Sequence, residues 1–410
     1  MNSYQSDVQF QSSSIDTNIV NVFHRNCTFR DMTFTSIMVD NVTFDKCTFT
    51  NCRFEKVTLS KCCFFSCLFK MISYDNTTFT NCQIMQCKLF ALQYVNSVIF
   101  EDVDMYDSKI HKCMMQSLSV TNTHFIDCDV RLSDLSSITG ELCSFSKSHF
   151  FKTNLHAMKI QDLSMQGAIL VECDISKADF SNTNFTKANL TYITNAYEAI
   201  FHNASFQGTV FENNRFVNSD FTTAIFNYTE HKHNEYTNCN FNSCTLSYTV
   251  IERTNFIDST FLKSINNNCV FQNCMIKRCV YDDQITSSEW LFYNVQIEDV
   301  SFCNSELSNV DIYYSTLKNV TFKDAKLENV KMKNTETHHV IHLHNAAVED
   351  HETFLQSIFV SPMNETVFDR VEQQITEKMQ KMEEEANDYE VQQHKIEKQI
   401  QEKKTRNLPH

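Results

Sequence analysis

Eighteen cysteines and fifteen histidines are the side chains of this sequence that could ligate a metal, attack a substrate or form disulfides. Four histidines, His338, His339, His342 and His344, crowd the segment 335–345. His338 and His342 would share one face of a helix and could hold a metal, but no carboxylate or thiol stands where it would complete the site, which favours a solvated capping segment. Cys82 with Cys87, and Cys239 with Cys244, are five apart, and a zinc reading of them fails because residues at that spacing would point inward from adjacent walls of a filled core. Serine, histidine and aspartate abound, yet no G-x-S-x-G, H-E-x-x-H or glycine-rich phosphate loop occurs, and three glycines could hardly build one. The expectation is a chain with no catalytic group, no metal and no cofactor.

What must position these residues is set by a period of five. From Phe29, large apolar residues recur at Phe34, Val39, Phe44, Phe49, Phe54, Leu59, Phe64, Phe69, Tyr74 and Phe79, and on through Ile84, Leu89, Tyr94 and Ile99. The series continues one residue out of step from Ile110, again from Phe201, and a third time from Ile297 to Met332. Helices and strands have side-chain periods of 3.6 and 2, so neither keeps a five-step on one face. Two residues before each large one stands a slim one, such as Cys47, Cys52, Val57, Cys62 and Cys67, or Ala178, Thr183 and Ala188. All cysteines except Cys63 and Cys303 fall in this slim slot. Cys27, Cys47, Cys67 and Cys87, twenty apart, would stack on one face, slightly too far apart for easy disulfides. They read as small buried apolar residues.

The run Ala178-Asp179-Phe180-Ser181-Asn182-Thr183-Asn184-Phe185-Thr186-Lys187-Ala188-Asn189-Leu190-Thr191 resembles the pentapeptide-repeat family, over about residues 21–335. The resemblance implies an all-β solenoid, a right-handed quadrilateral β-helix in which four pentapeptides make one square coil. At ~4.8 Å per coil, roughly sixteen coils would form a rod about 75 Å long. Composition agrees: no proline precedes Pro362, as inter-coil hydrogen bonding requires, and Gly167 and Gly208 lie two residues after a large one, at expected corners. A more local likeness, in His24-Arg25-Asn26-Cys27-Thr28-Phe29-Arg30-Asp31-Met32-Thr33-Phe34, is to the luminal repeat domain of the synaptic vesicle glycoprotein 2 transporters, and implies a glycosylated recognition surface.

These features divide the chain into a polar N-terminal cap or disordered segment (1–21), the repeat (22–335), a capping segment with a short helix (336–360) and a C-terminal helix (361–407). Phe10, Ile15 and Val20 keep a faint five-step in the first segment. Breaks are expected near 100–109, 191–200 and 282–292. The third holds Trp290, the only tryptophan, and Phe292, candidate interaction residues. In 346–359, Val348, Phe354, Leu355 and Ile358 form an amphipathic pattern able to cover the end of the rod. Met379, Met382, Ala386, Tyr389, Gln393, Ile396 and Ile400 alternate three and four apart, a coiled-coil seam predicting either a homodimer or packing back along the rod.

Neither a basic n-region nor an apolar span long enough for a membrane is present, so cytoplasmic residence without membrane insertion is expected. Residues 351–410 carry twelve acids and eight bases, net −4, leaving −11 of the total −15 for the rest. That charge excludes a general nucleic-acid binder, whose footprint is basic. The leading expectation is a non-enzymatic scaffold presenting flat faces to protein partners. One alternative follows the family's topoisomerase inhibitors, acidic rods that mimic DNA and block gyrase. Another is an extracytoplasmic glycosylated domain: of nine Asn-x-Ser/Thr sequons, Asn26, Asn41, Asn76, Asn203 and Asn319 fall three before a large residue, at exposed corners.

Overall fold

The computed structural model describes residues 3–94, 96–284, 286–338 and 347–348, for Thr286, Ala347 and Val348 the backbone only. Among them every strand is short, every pairing is parallel, and no helix occurs. Each strand pairs with the one a full coil later: Thr28–Arg30 with Thr48–Thr50, then Leu68–Lys70, then Lys88–Phe90. The offset of twenty residues makes each coil of four pentapeptides. Four flat faces result, named here by the inward residues Phe29, Phe34, Val39 and Phe44. On the Phe29 face the inward positions run from Phe10 to Met332 in seventeen rungs.

The axis is filled. On the Val39 face Phe201, Phe221, Phe241, Phe261 and Tyr281 stack with centroids 4.2–4.8 Å apart and planes within 5°. That spacing is the coil rise itself, so each ring meets its neighbour at the β-strand repeat. The slim slot does more than save space. Ser148 Oγ donates to the Phe125 carbonyl (2.7 Å) and accepts the Cys128 N–H (3.0 Å). Asn234 likewise donates to the Phe211 carbonyl (2.9 Å) and accepts from the Asn214 N–H (3.0 Å). Cysteine thiols in this slot, such as Cys62 and Cys67, each donate to a carbonyl one coil back at 3.2 Å. Short side chains with a donor and an acceptor thus satisfy backbone groups that face the dry axis.

The corners are left-handed. Positive φ recurs two residues after the inward position at nearly every corner, from Asp7 (59°) to Asn334 (51°), and includes Gly167 (65°) and Gly208 (66°). Asparagine, aspartate and glycine tolerate this region best, which accounts for their use at corners.

The phase differs from expectation in two places, the first coil and the first added residue, while the second and third additions fall inside their expected windows. In the first coil, Ile19 rather than Val20 pairs with Val39, so this coil is one residue short and Val20 is exposed. The first added residue lies between Tyr94 and Val98, not at 100–109, because Thr77 pairs with Val98. Phe100 therefore points inward and Ile99 is 37% exposed. The second lies between Leu190 and Ala196, which occupies an inward large-residue position opposite Phe216. The third lies between Gln284 and Thr286, since Ile265 pairs with Thr286. Residues 3–20 form strands stacked on the next coil, Ser3–Ser6 pairing with Val22–Arg25.

Trp290 and Phe292, singled out from the sequence as surface anchors, both point into the core, 1% and 2% exposed. The inward positions beside the tryptophan hold Asn266 and Ser287 instead of aromatics, and its indole fills the volume they leave. The indole N–H donates to the Asn266 carbonyl. The C-terminal helix and seam, with Met379, Met382, Tyr389, Ile396 and Ile400, lie outside the described residues, as do His339, His342 and His344.

Candidate functional site: the outer faces and corners

The interior offers no reactive surface. Sixteen of the eighteen cysteines are buried, and all eighteen are free. Burial pushes the thiols of Cys128, Cys173, Cys239, Cys274 and Cys279 up to about 12, far from the reactive thiolate range. No cluster of three metal-ligating side chains exists among the described residues. Two buried histidines sit in large-residue positions. His24 stacks on Phe44, and burial lowers its pKa to about 4. His231 stacks on Phe211, bonds Tyr236 Oη through Nδ1 (2.8 Å) and Thr229 Oγ1 through Nε2 (3.2 Å), and is lowered by burial to about 3. Both are neutral core rings rather than acid–base groups. The surface carries a groove of about 230 Å³ on the Phe44 face between Ser287, Ser308, Lys326 and Glu328, shallow and without a titratable cluster of catalytic type.

Addressable chemistry therefore sits outside. Corner asparagines form amide ladders along the rod: Asn41 Nδ2 donates to Asn21 Oδ1 (2.6 Å), Asn51 to Asp31 (2.7 Å), Asn122 to Asp102 (2.7 Å) and Asn329 to Asn309 (2.6 Å). The five sequon residues Asn26, Asn41, Asn76, Asn203 and Asn319 are all exposed with φ of 48–56°. Each donates one amide hydrogen to a neighbouring side-chain oxygen. An amide carries two hydrogens, so a glycan on Nδ2 leaves one free to keep that bond. On the Phe34 face Lys277 and Lys318 clamp Glu298 at 2.7 and 2.6 Å, and these bonds lower its carboxyl to about 2. Arg278 grips Asp258 through two nitrogens, 2.5 and 2.7 Å. Such exposed pairs order the surface more than they stabilise it.

Sequence reasoning missed one surface feature. Beside the inward Trp290 and Phe292, the outward Leu291 and Tyr293 join Val270 and Tyr313 in an apolar cluster on the Phe29 face, flanked by Tyr248, Val250 and Tyr314. Reading the positions on either side of each large residue, coil by coil, would have revealed it.

Comparison with known proteins bears on the same register. The sequence pattern of the SV2A/B/C luminal domain matches residues 4–94. The pattern of pentapeptide repeats matches residues 159–191. No curated protein matches the chain. Among solved structures, HetL, a pentapeptide repeat protein involved in heterocyst differentiation regulation from the cyanobacterium Nostoc sp. strain PCC 7120, is 15% identical. It covers 57% of this chain and 86% of its own, with a TM-score of 0.23. A trypsin-treated form of QnrB1, a plasmid-mediated fluoroquinolone resistance protein, is 13% identical, covering 68% of this chain and all of its own, with a TM-score of 0.21. A mutant of the alginate lyase AlyGC is 8% identical over 82% of each chain, with a TM-score of 0.23. At such TM-scores these likenesses carry no argument about activity. The inward five-residue register runs through the described coils, and at 159–191 it coincides with the pattern of the pentapeptide-repeat family.

Proposed function

We propose that the chain is a non-enzymatic recognition rod that binds protein partners through its flat outer faces. One observation carries this reading: the axis is packed with apolar side chains, so among the described residues the groups able to meet another molecule lie on a face or a corner. Flat, polar, regularly spaced faces suit an extended partner surface better than a small substrate, which needs a concave pocket. The acidic excess argues for a partner other than nucleic acid. The test is capture by the purified full chain, repeated with charge reversals confined to one face at a time. Loss of a captured protein on altering one face, with the others silent, supports the rod; a reproducible turnover activity with no partner recovered overturns it.

A second reading, an extracytoplasmic glycosylated domain, is favoured by one coincidence. The SV2A/B/C luminal-domain match at 4–94 contains Asn26, Asn41 and Asn76, three of the five sequons at exposed corners. Intact mass of the natively produced protein before and after enzymatic removal of N-glycans decides it. A fall in mass places the chain outside the cytoplasm; an unchanged mass excludes this reading.

A further inference from the structure

The Phe44 face carries an apolar stripe on its outer side. Its strands Cys63–Phe65, Gln83–Met85, Asp104–Tyr106 and His124–Ile126 pair in sequence, so Phe65, Met85, Tyr106 and Ile126 stand outward one above another. All four are half-buried. The repeat does not require them: elsewhere in the same column, from Ser6, Arg25 and Asp45 to Ser146, Ser308 and Glu328, every residue is polar. Acid flanks the stripe. Asp104 stands beside it, Asp102 at the corner before it, and Asp107 and Asp127 at the corner after it, against the single base Lys61 at these four rungs. Lys88 and Lys109 lie past that corner, on the Phe29 face. A contiguous apolar patch rimmed by one sign of charge has the form of a protein docking surface rather than of a solvated face.

Resting on the reading of the chain as a recognition rod, we propose that this stripe docks a basic amphipathic helix of a protein partner, laid along the rod. Geometry selects the helix. The stripe runs across the strands, and its steps of ~4.8 Å from Phe65 to Ile126 add up to about 14 Å. A helix presents the same face every ~5.4 Å, close to the rung spacing, and about ten residues span that length. An extended chain presents the same face only every ~6.8 Å and falls out of step with the rungs. Charge selects the sign. Apolar residues on one face of the helix meet Met85 and Tyr106, while lysines or arginines on its two borders reach Asp104 on one side and Asp107 and Asp127 on the other. The same acids oppose a second copy of this face and an anionic membrane, because each would set like charges against each other.

A leucine–lysine peptide in amphipathic helical order is the probe, with its leucine–glutamate counterpart as control. Added to the purified full chain, the leucine–lysine peptide should lower hydroxyl-radical labelling of Met85 and Tyr106 severalfold and leave the exposed Met114 and Tyr192 unchanged. Its affinity, followed by fluorescence anisotropy, should fall about tenfold or more in Met85→Ser/Ile126→Ser, since two apolar contacts are lost. It should fall severalfold in Asp107→Asn/Asp127→Asn, most clearly at low salt. Gln166→Ser, on the same column beyond the stripe, should change nothing, and core thiols that stay unreactive show that each variant keeps its rod. Equal binding of the two peptides, or affinity indifferent to both double substitutions, overturns the proposal. So does a stripe protected in the chain alone and uncovered on dilution, which would assign it to a second copy, or protection by anionic lipid vesicles but not by the peptide. A partner captured through another face, with the peptide idle here, overturns the helix site and leaves the recognition rod standing; a turnover activity with no partner removes both.

Discussion

His231 shows what a single residue costs and contributes in such a core. It replaces an aromatic in a stack, and its two ring nitrogens find Tyr236 and Thr229, so it is satisfied only while neutral. Its folded pKa of about 3 lies below the ordinary 6.5, so the unfolded chain takes up the proton first as pH falls. The resulting stability is complete above about pH 6.5 and is lost progressively down to about pH 3, at roughly 1.4 kcal/mol per pH unit. Replacing the pair together, His231→Phe with Tyr236→Phe, extends the plain phenylalanine stacks of Phe211 and Phe216. The double variant should unfold at clearly lower pH than the parent in an acid titration followed by circular dichroism, with little change at pH 7. An acid midpoint equal to the parent's would mean that this histidine is not sealed in the core.

At the scale of the coil, Gly140 carries an unusual constraint. It stands in an inward large-residue position between Val120 and Ile160, and a Cβ there would fall 1.7 Å from the Val120 carbonyl oxygen. Backbone, not a side-chain tip, occupies the space, so Gly140→Ala must push two coils apart. A loss of about 3 kcal/mol or more is expected, with faster amide exchange at Thr139 and Glu141 than elsewhere on the face. Exchange and melting like the parent's would show that the coils are not held this closely. The same scale explains what could and could not be read from residues alone. The five-step, the slim slot of the cysteines and the corner glycines were legible, because each follows from which side chains face a dry axis. The position of each added residue was not. Ile99 and Phe100, or Ile19 and Val20, are adjacent apolar residues, and only pairing with the next coil selects which turns inward. Trp290 misled for the same reason, since its phase depends on the insertion between Gln284 and Thr286.

Over the whole molecule, growth by stacking separates architecture from recognition. Each coil buries its own share of core against its neighbours, so length adds stability without enlarging the core's radius. Outer residues can then vary almost freely, which is why the repeat is so readable and the partner is not. The apolar cluster on the Phe29 face was hidden in the same way, in positions where the repeat demands nothing. Thiol counting tests the central claim, that every fifth residue and its slim companion converge on a filled axis. In the native chain, a small alkylating reagent should modify at most Cys63 and Cys303, the two cysteines that are not buried, and all eighteen should react once denaturant is added. Rapid native alkylation of thiols spread along the series from Cys27 to Cys279 would contradict the account.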